Sequence, residues 1–122
     1  MVRVHASGLN PLDIKISNGA PAHAKQPLPA VFGLDLAGTV VELCDAVDGF
    51  AIGDEVFGMA GGIGGAQGAM AEYIAVDARL IAIKPKYLSM REAAALPLVV
   101  ITAWEGLMDR DRVLNLSAAT RA

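Results

Sequence analysis

The stretch from Phe32 to Gly58, FGLDLAGTVVELCDAVDGFAIGDEVFG, decides how the rest of the chain is read. Two runs rich in β-formers, Leu36 to Leu43 and Glu55 to Met59, enclose turn chemistry at Asp45 to Gly49 and again at Gly53-Asp54. A strand, turn, turn, strand unit is the economical reading. Its glycines and acidic residues fall where the chain must reverse.

Toward the N-terminus, Val2 to Ala6 alternates apolar and polar residues as a half-buried strand does. Asn10-Pro11 biases Asn10 away from the α region, and Leu12 to Ser17 then reads as a short helix closed by Asn18-Gly19. Ala20 to Ala30, with Pro21, Pro27 and Pro29, reads as an irregular surface loop, within which His23 and Lys25 either touch substrate or, the better-supported reading, are solvated. Toward the C-terminus, Gly61 to Gly68 is GGIGGAQG, but the third glycine of a dinucleotide fingerprint is replaced by Gln67. The segment after it, Ala69 to Val76, reads as a strand rather than a helix, so this is a flexible glycine loop and not a phosphate cradle. Leu80 to Ile83 is a further short strand. Ser89 and Glu92 have the spacing of a capping box, so a helix starts near Met90 and runs to about Leu96; Pro97 opens a second helix to about Asp109.

Composition bounds the function. A chain of 122 residues suits one domain with its own core. Hydrophobic residues make up 54% of it, and the mean hydropathy of +0.46 is high for a small domain. Either the core is rich in alanine and glycine, or some apolar surface normally lies against another domain. The net charge of −3, from ten basic and thirteen acidic residues without a basic run, leaves no electrostatic footprint for nucleic acid. The most apolar stretch, Ala93 to Trp104, contains Pro97 and falls well short of the roughly 20 residues that span a bilayer. No charged start followed by an apolar region marks a secretion signal, and a single cysteine, Cys44, excludes an intramolecular disulfide, so the expected compartment is cytoplasmic.

Two runs in the central stretch, G-x-D-x-A-G-x-V-V from Gly33 to Val41 and F-x-x-G-D-x-V-F from Phe50 to Phe57, resemble the signature of the medium-chain dehydrogenase/reductase superfamily. The similarity is to its zinc-independent quinone oxidoreductase branch, the one that includes zeta-crystallin. The segment around Asn10, the Ala71-Glu72-Tyr73 strand entry and the Thr102-Ala103-Trp104 element match the same family in the same order. The resemblance implies a mainly β fold with short helices: a GroES-like, partly open β-barrel of the alcohol dehydrogenase N-terminal type. It also implies that Asn10 and Thr102 are catalytic and meet the nicotinamide end of NADPH. Without it, Thr102 would read as a buried helical hydroxyl and Trp104 as a core aromatic. Lys15, where several quinone oxidoreductases carry a tyrosine, and Asp35 become substrate-cleft residues. Asp35 either orients substrate or bonds the backbone of its own turn.

Metal chemistry is not expected. Zinc-dependent members place a ligating cysteine where this chain has Asn10, and Gly-His-Glu where it has Gly33-Leu34-Asp35; their four-cysteine structural lobe is absent too. His5, His23 and Cys44 have no paired ligand spacing. Cys44, which stands where relatives usually have glycine, reads as a small buried hydrophobe.

The resemblance covers Val2 to Arg110. In the family the strand at Val2 follows other strands of the same sheet, so the N-terminus reads as cut. Relatives continue past the equivalent of Arg110 into a Rossmann domain with a G-x-x-G-x-x-G loop, whereas Asp111 to Ala122 diverges. The expected organisation is therefore a GroES-like catalytic domain over 1–110, N-terminally truncated, and a divergent tail over 111–122, with the Rossmann domain absent. The expected function is that of a catalytic-domain fragment of an NADPH-dependent, zinc-independent quinone or enone oxidoreductase, inactive by itself. Its partners would be a missing or separate Rossmann domain and a small quinone or enone, with no nucleic acid and no membrane, and with self-association through the exposed cleft face. The alternative is a stand-alone GroES-like interaction or assembly module.

Overall fold

The computed structural model of the chain describes residues 1–20 and 22–109, with the side chains of His23 and Asp109 outside the description. The domain boundary expected at Arg110 and the 111–122 tail lie outside the described residues.

The strand, turn, turn, strand reading of the central stretch holds. β2 (Asp35–Val40) pairs antiparallel with β3 (Glu55–Met59), and the reversals between them place Gly49 and Gly53 at positive φ. β2 stops earlier than the expected Leu43, because the amides of Val41 and Glu42 turn to the carbonyl of Met1 instead of continuing the ladder. On its other edge β2 pairs antiparallel with β1 (Val2–Gly8), the register slipping at His5, whose ring meets Thr39 Oγ1 at 3.1 Å. β4 (Tyr73–Ile74) and β5 (Ile81–Ile83) complete one open five-stranded sheet in the order β4-β1-β2-β3-β5.

The strand expected over Ala69 to Val76 shrinks to Tyr73–Ile74. Ala69 and Met70 donate to Gly33 and Phe32, where Gly33 has φ of +103° and no regular ladder can run. Before β5, Leu80 belongs to a 3-10 turn over Ala78–Leu80 rather than to the strand.

β2 is central and covered on both faces, so its apolar residues alternate between two clusters. Leu36 and Val40 pack with Val2, Val56 and Ile74, while Ala37 packs with Ala93 and Ala94 of α2 (Met90–Ala94). The approach of α2 needs glycine in β1. A Cβ on Gly8 would lie 2.3 Å from the Ala94 carbonyl oxygen, a contact only backbone movement could relieve. α1 (Pro11–Ser17) closes the end of the sheet through Ile16, which packs with Ala24 and Leu34.

The capping box forms as expected: the Ser89 amide donates to Glu92 Oε2 at 2.8 Å, and the Glu92 amide donates to Ser89 Oγ at 3.2 Å. α3 (Pro97–Trp104) follows, running on as a π-helical turn over Glu105–Asp109. Pro97 at its first position lacks an N–H that would be unpaired there in any case. Among the described residues no helix is long and apolar enough to cross a membrane.

One expectation about burial is corrected. Cys44 is exposed, because it lies in the loop after β2 rather than in the ladder. Thr102 and Trp104 are exposed as well, with Trp104 at 59%. Along α3 and its continuation Val99, Val100, Ile101, Leu107 and Met108 join them, so this helix contributes little to the core beyond Pro97 and Leu98. Both readings of the high hydropathy have a counterpart among the described residues: the buried hydrophobic residues include Ala24, Ala37, Ala60, Ala69, Ala93 and Ala94, and apolar surface is exposed as well.

A candidate active site at the end of β2

The site grows from the Asn10-Pro11 step. Asn10 is extended, with φ of −116° and ψ of 155°, as the residue before proline must be, and it serves as the N-cap of α1. Its own amide donates to Asp13 Oδ2 at 2.7 Å, and Asp13 Oδ1 accepts the Leu34 amide at 3.1 Å. A buried carboxylate three residues into the helix therefore ties the start of α1 to the residue that precedes β2. That tie leaves the Asn10 side chain available for a longer reach, and its Nδ2 donates to Asp35 Oδ2 at 3.0 Å.

Asp35 opens β2 and is wholly buried, at 0% exposure. Besides the Asn10 side chain it accepts the Leu98 amide, at 3.1 Å on Oδ1 and 3.2 Å on Oδ2. Burial raises its carboxyl from the ordinary aspartate value; the hydrogen bonds from Asn10 and Leu98 oppose that shift, and nearby Asp13 adds to it. Three segments distant in sequence thus converge on one carboxylate: the N-terminus of α1, the start of β2 and the first turn of α3.

The four residues singled out from the sequence fall into three situations. Asn10 is 7% exposed and held on both its backbone and its side chain. Thr102 lies one turn beyond Leu98 on α3 with its side chain exposed, and among the described residues no hydrogen bond joins it to Asn10. Lys15 is exposed on α1. Asp35 neither reaches an open cleft nor bonds its own turn, and its contacts are Asn10 and Leu98. Sequence reasoning missed two members of the cluster. Asp13 was detectable, since Asn10 and Asp13 have capping-box spacing; the Leu98 amide was not, because only folding brings it to Asp35.

The zinc ligand set of the family does not fit here. The cysteine position holds Asn10, whose amide is committed to Asp35, and the histidine position holds Leu34, an aliphatic side chain at 2% exposure inside the α1 cluster. Among the described residues no three histidine, cysteine, aspartate or glutamate side chains gather into a ligand group.

Four glycine amides of the Gly61–Gly68 loop are already engaged. Gly62 donates to Ala66 at 3.1 Å, Gly64 to Lys25 at 3.1 Å, Gly65 to Gln26 Oε1 at 2.8 Å and Gly68 to Val31 at 2.7 Å. Gln26 also donates from Nε2 to the Ala66 carbonyl at 2.6 Å, so the loop that read as free is tied to the proline-rich segment.

The comparisons with known proteins agree on what this arrangement belongs to. The model of the alcohol dehydrogenase GroES-like domain matches residues 1–86. A 2-methylene-furan-3-one reductase of Solanum lycopersicum is 45% identical, and a chloroplastic NADPH-dependent alkenal/one oxidoreductase of Arabidopsis thaliana is 41% identical, each over 88% of this chain. The crystal structure of an alcohol dehydrogenase superfamily protein from Novosphingobium aromaticivorans superposes with a TM-score of 0.88 at 61% identity over 92% of the chain. The chain spans 29% of the length of the two curated relatives and 34% of that structure. With relatives that are quinone and enone oxidoreductases, and with a GroES-like fold, the chain belongs to the alcohol dehydrogenase GroES-like domain family of the medium-chain dehydrogenase/reductase superfamily.

Proposed function

We propose that the chain supplies the catalytic-domain wall of a zinc-independent, NADPH-dependent quinone or enone oxidoreductase, and that it is inactive without a nucleotide-binding domain. The observation that carries this reading is the buried clamp on Asn10, which holds a neutral amide where zinc-dependent members place a metal ligand. NADPH, when bound, supplies the hydride; this chain's residues orient and polarise. The Asn10 side-chain amide, held by Asp35 while Asp13 holds its backbone, and the exposed Thr102 hydroxyl are the hydrogen-bonding groups for the nicotinamide amide or the substrate carbonyl. Lys15 at the surface of α1 is a specificity group at the cleft mouth, and Asp35 acts from behind Asn10. The exposed apolar face of α3 is the surface for the second domain, and without one it favours self-association. The compartment proposed is the cytoplasm; several of the relatives carry chloroplastic or mitochondrial names, and that assignment concerns those proteins.

The test is to join or mix the chain with the nucleotide-binding domain of such an enzyme and measure NADPH-dependent reduction of a quinone and an enone. Turnover supports the reading, and absence of both association and turnover supports an interaction module instead. In the restored enzyme, Asn10→Ala and Thr102→Ala are each expected to lower kcat/KM about tenfold or more, the loss of roughly one well-placed hydrogen bond. Unchanged kinetics in both variants returns the two residues to structural roles.

Zinc independence has its own check. Protein prepared in the presence of zinc and then dialysed is expected to retain well below one equivalent by elemental analysis, because Asn10 and Leu34 cannot replace a thiolate and an imidazole. Stoichiometric zinc overturns it.

A further inference from the structure

We infer that Asp35 is a positioning residue, whose buried carboxylate sets the orientation of the Asn10 side chain and locks it to the first turn of α3. Asn10 and Thr102 are thereby presented as one unit. The inference rests on the reading of those two residues given above, and it assigns what holds them.

The geometry leaves Asp35 little else to do. At 0% exposure it cannot touch a substrate without the domain opening. It stands in the central strand opposite Gly8 on β1 and Met59 on β3, in a position that packing alone would fill with an apolar side chain. Each contact its carboxylate makes is an N–H donor: the Asn10 side chain at 3.0 Å and the Leu98 backbone at 3.1 and 3.2 Å. Asp13 meanwhile holds the Asn10 backbone, so its main chain and side chain are fixed by different carboxylates. Leu98 and Thr102 lie one turn apart on α3, so holding the Leu98 amide fixes where the face bearing Thr102 begins. Gly8 gives the cluster its room, because a Cβ there would come within 3.1 Å of Asp35 Cβ.

The test uses the isotopically labelled 122-residue chain and needs no turnover. Asp13 on α1 is the titratable group beside Asp35; Gly8 of β1, Met59 of β3, Ala94 of α2 and Leu98 of α3 bring none. In a pH titration followed by NMR, the Asp35 carboxyl carbon, the Asn10 side-chain amide and the Leu98 amide are expected to move with one shared midpoint, raised from the ordinary aspartate value. In Asp35→Asn, which keeps the size but turns one acceptor into a donor, the Asn10 side-chain amide signal is expected to lose the pH dependence it takes from Asp35. The Leu98 amide is then expected to exchange with solvent about tenfold faster. Asp45→Asn, in the exposed loop after β2, should change neither. Separate midpoints in the wild-type chain, or unchanged Asn10 and Leu98 signals in folded Asp35→Asn, overturn the inference; the wild-type titration decides alone if the variant does not fold. Coupled signals together with an Asn10→Ala variant of normal kcat/KM in the restored enzyme uphold the clamp and overturn the proposed role of Asn10 instead.

Discussion

Titrated with NADPH, the 122-residue chain is expected to bind only in the millimolar range or weaker and to show no quinone reduction. Tight dinucleotide binding in such enzymes depends on unpaired backbone N–H groups at a helix N-terminus that hold the pyrophosphate. The glycine segment this chain offers, Gly61 to Gly68, has the amides of Gly62, Gly64, Gly65 and Gly68 already donated to Ala66, Lys25, Gln26 and Val31. Opening the loop to free them would cost about 1 kcal/mol for each bond given up. What remains is a wall carrying Asn10, Thr102 and apolar side chains, able to meet the nicotinamide end alone. Since each 1.4 kcal/mol lost is about tenfold in affinity, forfeiting the phosphate and adenosine contacts moves binding from micromolar to millimolar at least. Cofactor fluorescence on titration checks this, and saturation in the low micromolar range removes the reading of the chain as one wall of a cleft.

Leu36→Ala is expected to destabilise the domain by about 2–5 kcal/mol. Leu36 is fully buried in the central strand and packs in the largest cluster, with Val2, Val40, Val56 and Ile74 around it. Truncation removes transfer energy and leaves a cavity between paired strands that cannot easily close. For a domain of this size that is a fifth or more of a total stability of roughly 5–10 kcal/mol. Val99→Ala on the exposed side of α3 is the contrast, expected to stay within about 0.5 kcal/mol. Urea denaturation of the two variants against the parent chain measures both, and equal midpoints for Leu36→Ala and the parent would contradict the two-faced burial of β2.

The exposed face of α3 and the engaged glycine loop point the same way. α3 is apolar on nearly all sides, yet it packs inward mainly through Pro97 and Leu98. A helix with that pattern normally has protein on both sides. This supports reading the chain as part of a larger active site more than as a free-standing module.

The sequence by itself determined the local elements, because local rules govern them. Alternation and turn chemistry placed β2 and β3 around Gly49 and Gly53; Asn-Pro placed the start of α1; Ser89 and Glu92 placed α2; and Pro97 divided it from α3. Family motifs in order then carried the fold class and the choice of Asn10 and Thr102. Burial and partnership were decided by the tertiary structure, since they depend on what packs against a residue from elsewhere in the chain. Cys44 reads as core and is exposed, because it lies past the end of its ladder. Lys84 is buried although charged, because Leu88, Pro85 and Glu55 together supply its ammonium with acceptors at 2.6, 3.1 and 3.0 Å. Asp35 shows the same division within the site. Its place in a motif was legible, but that it would be sealed from solvent and bound to Asn10 and Leu98 was not, for those partners stand 25 and 63 residues away and only the packing of α1 and α3 on the end of β2 brings them together.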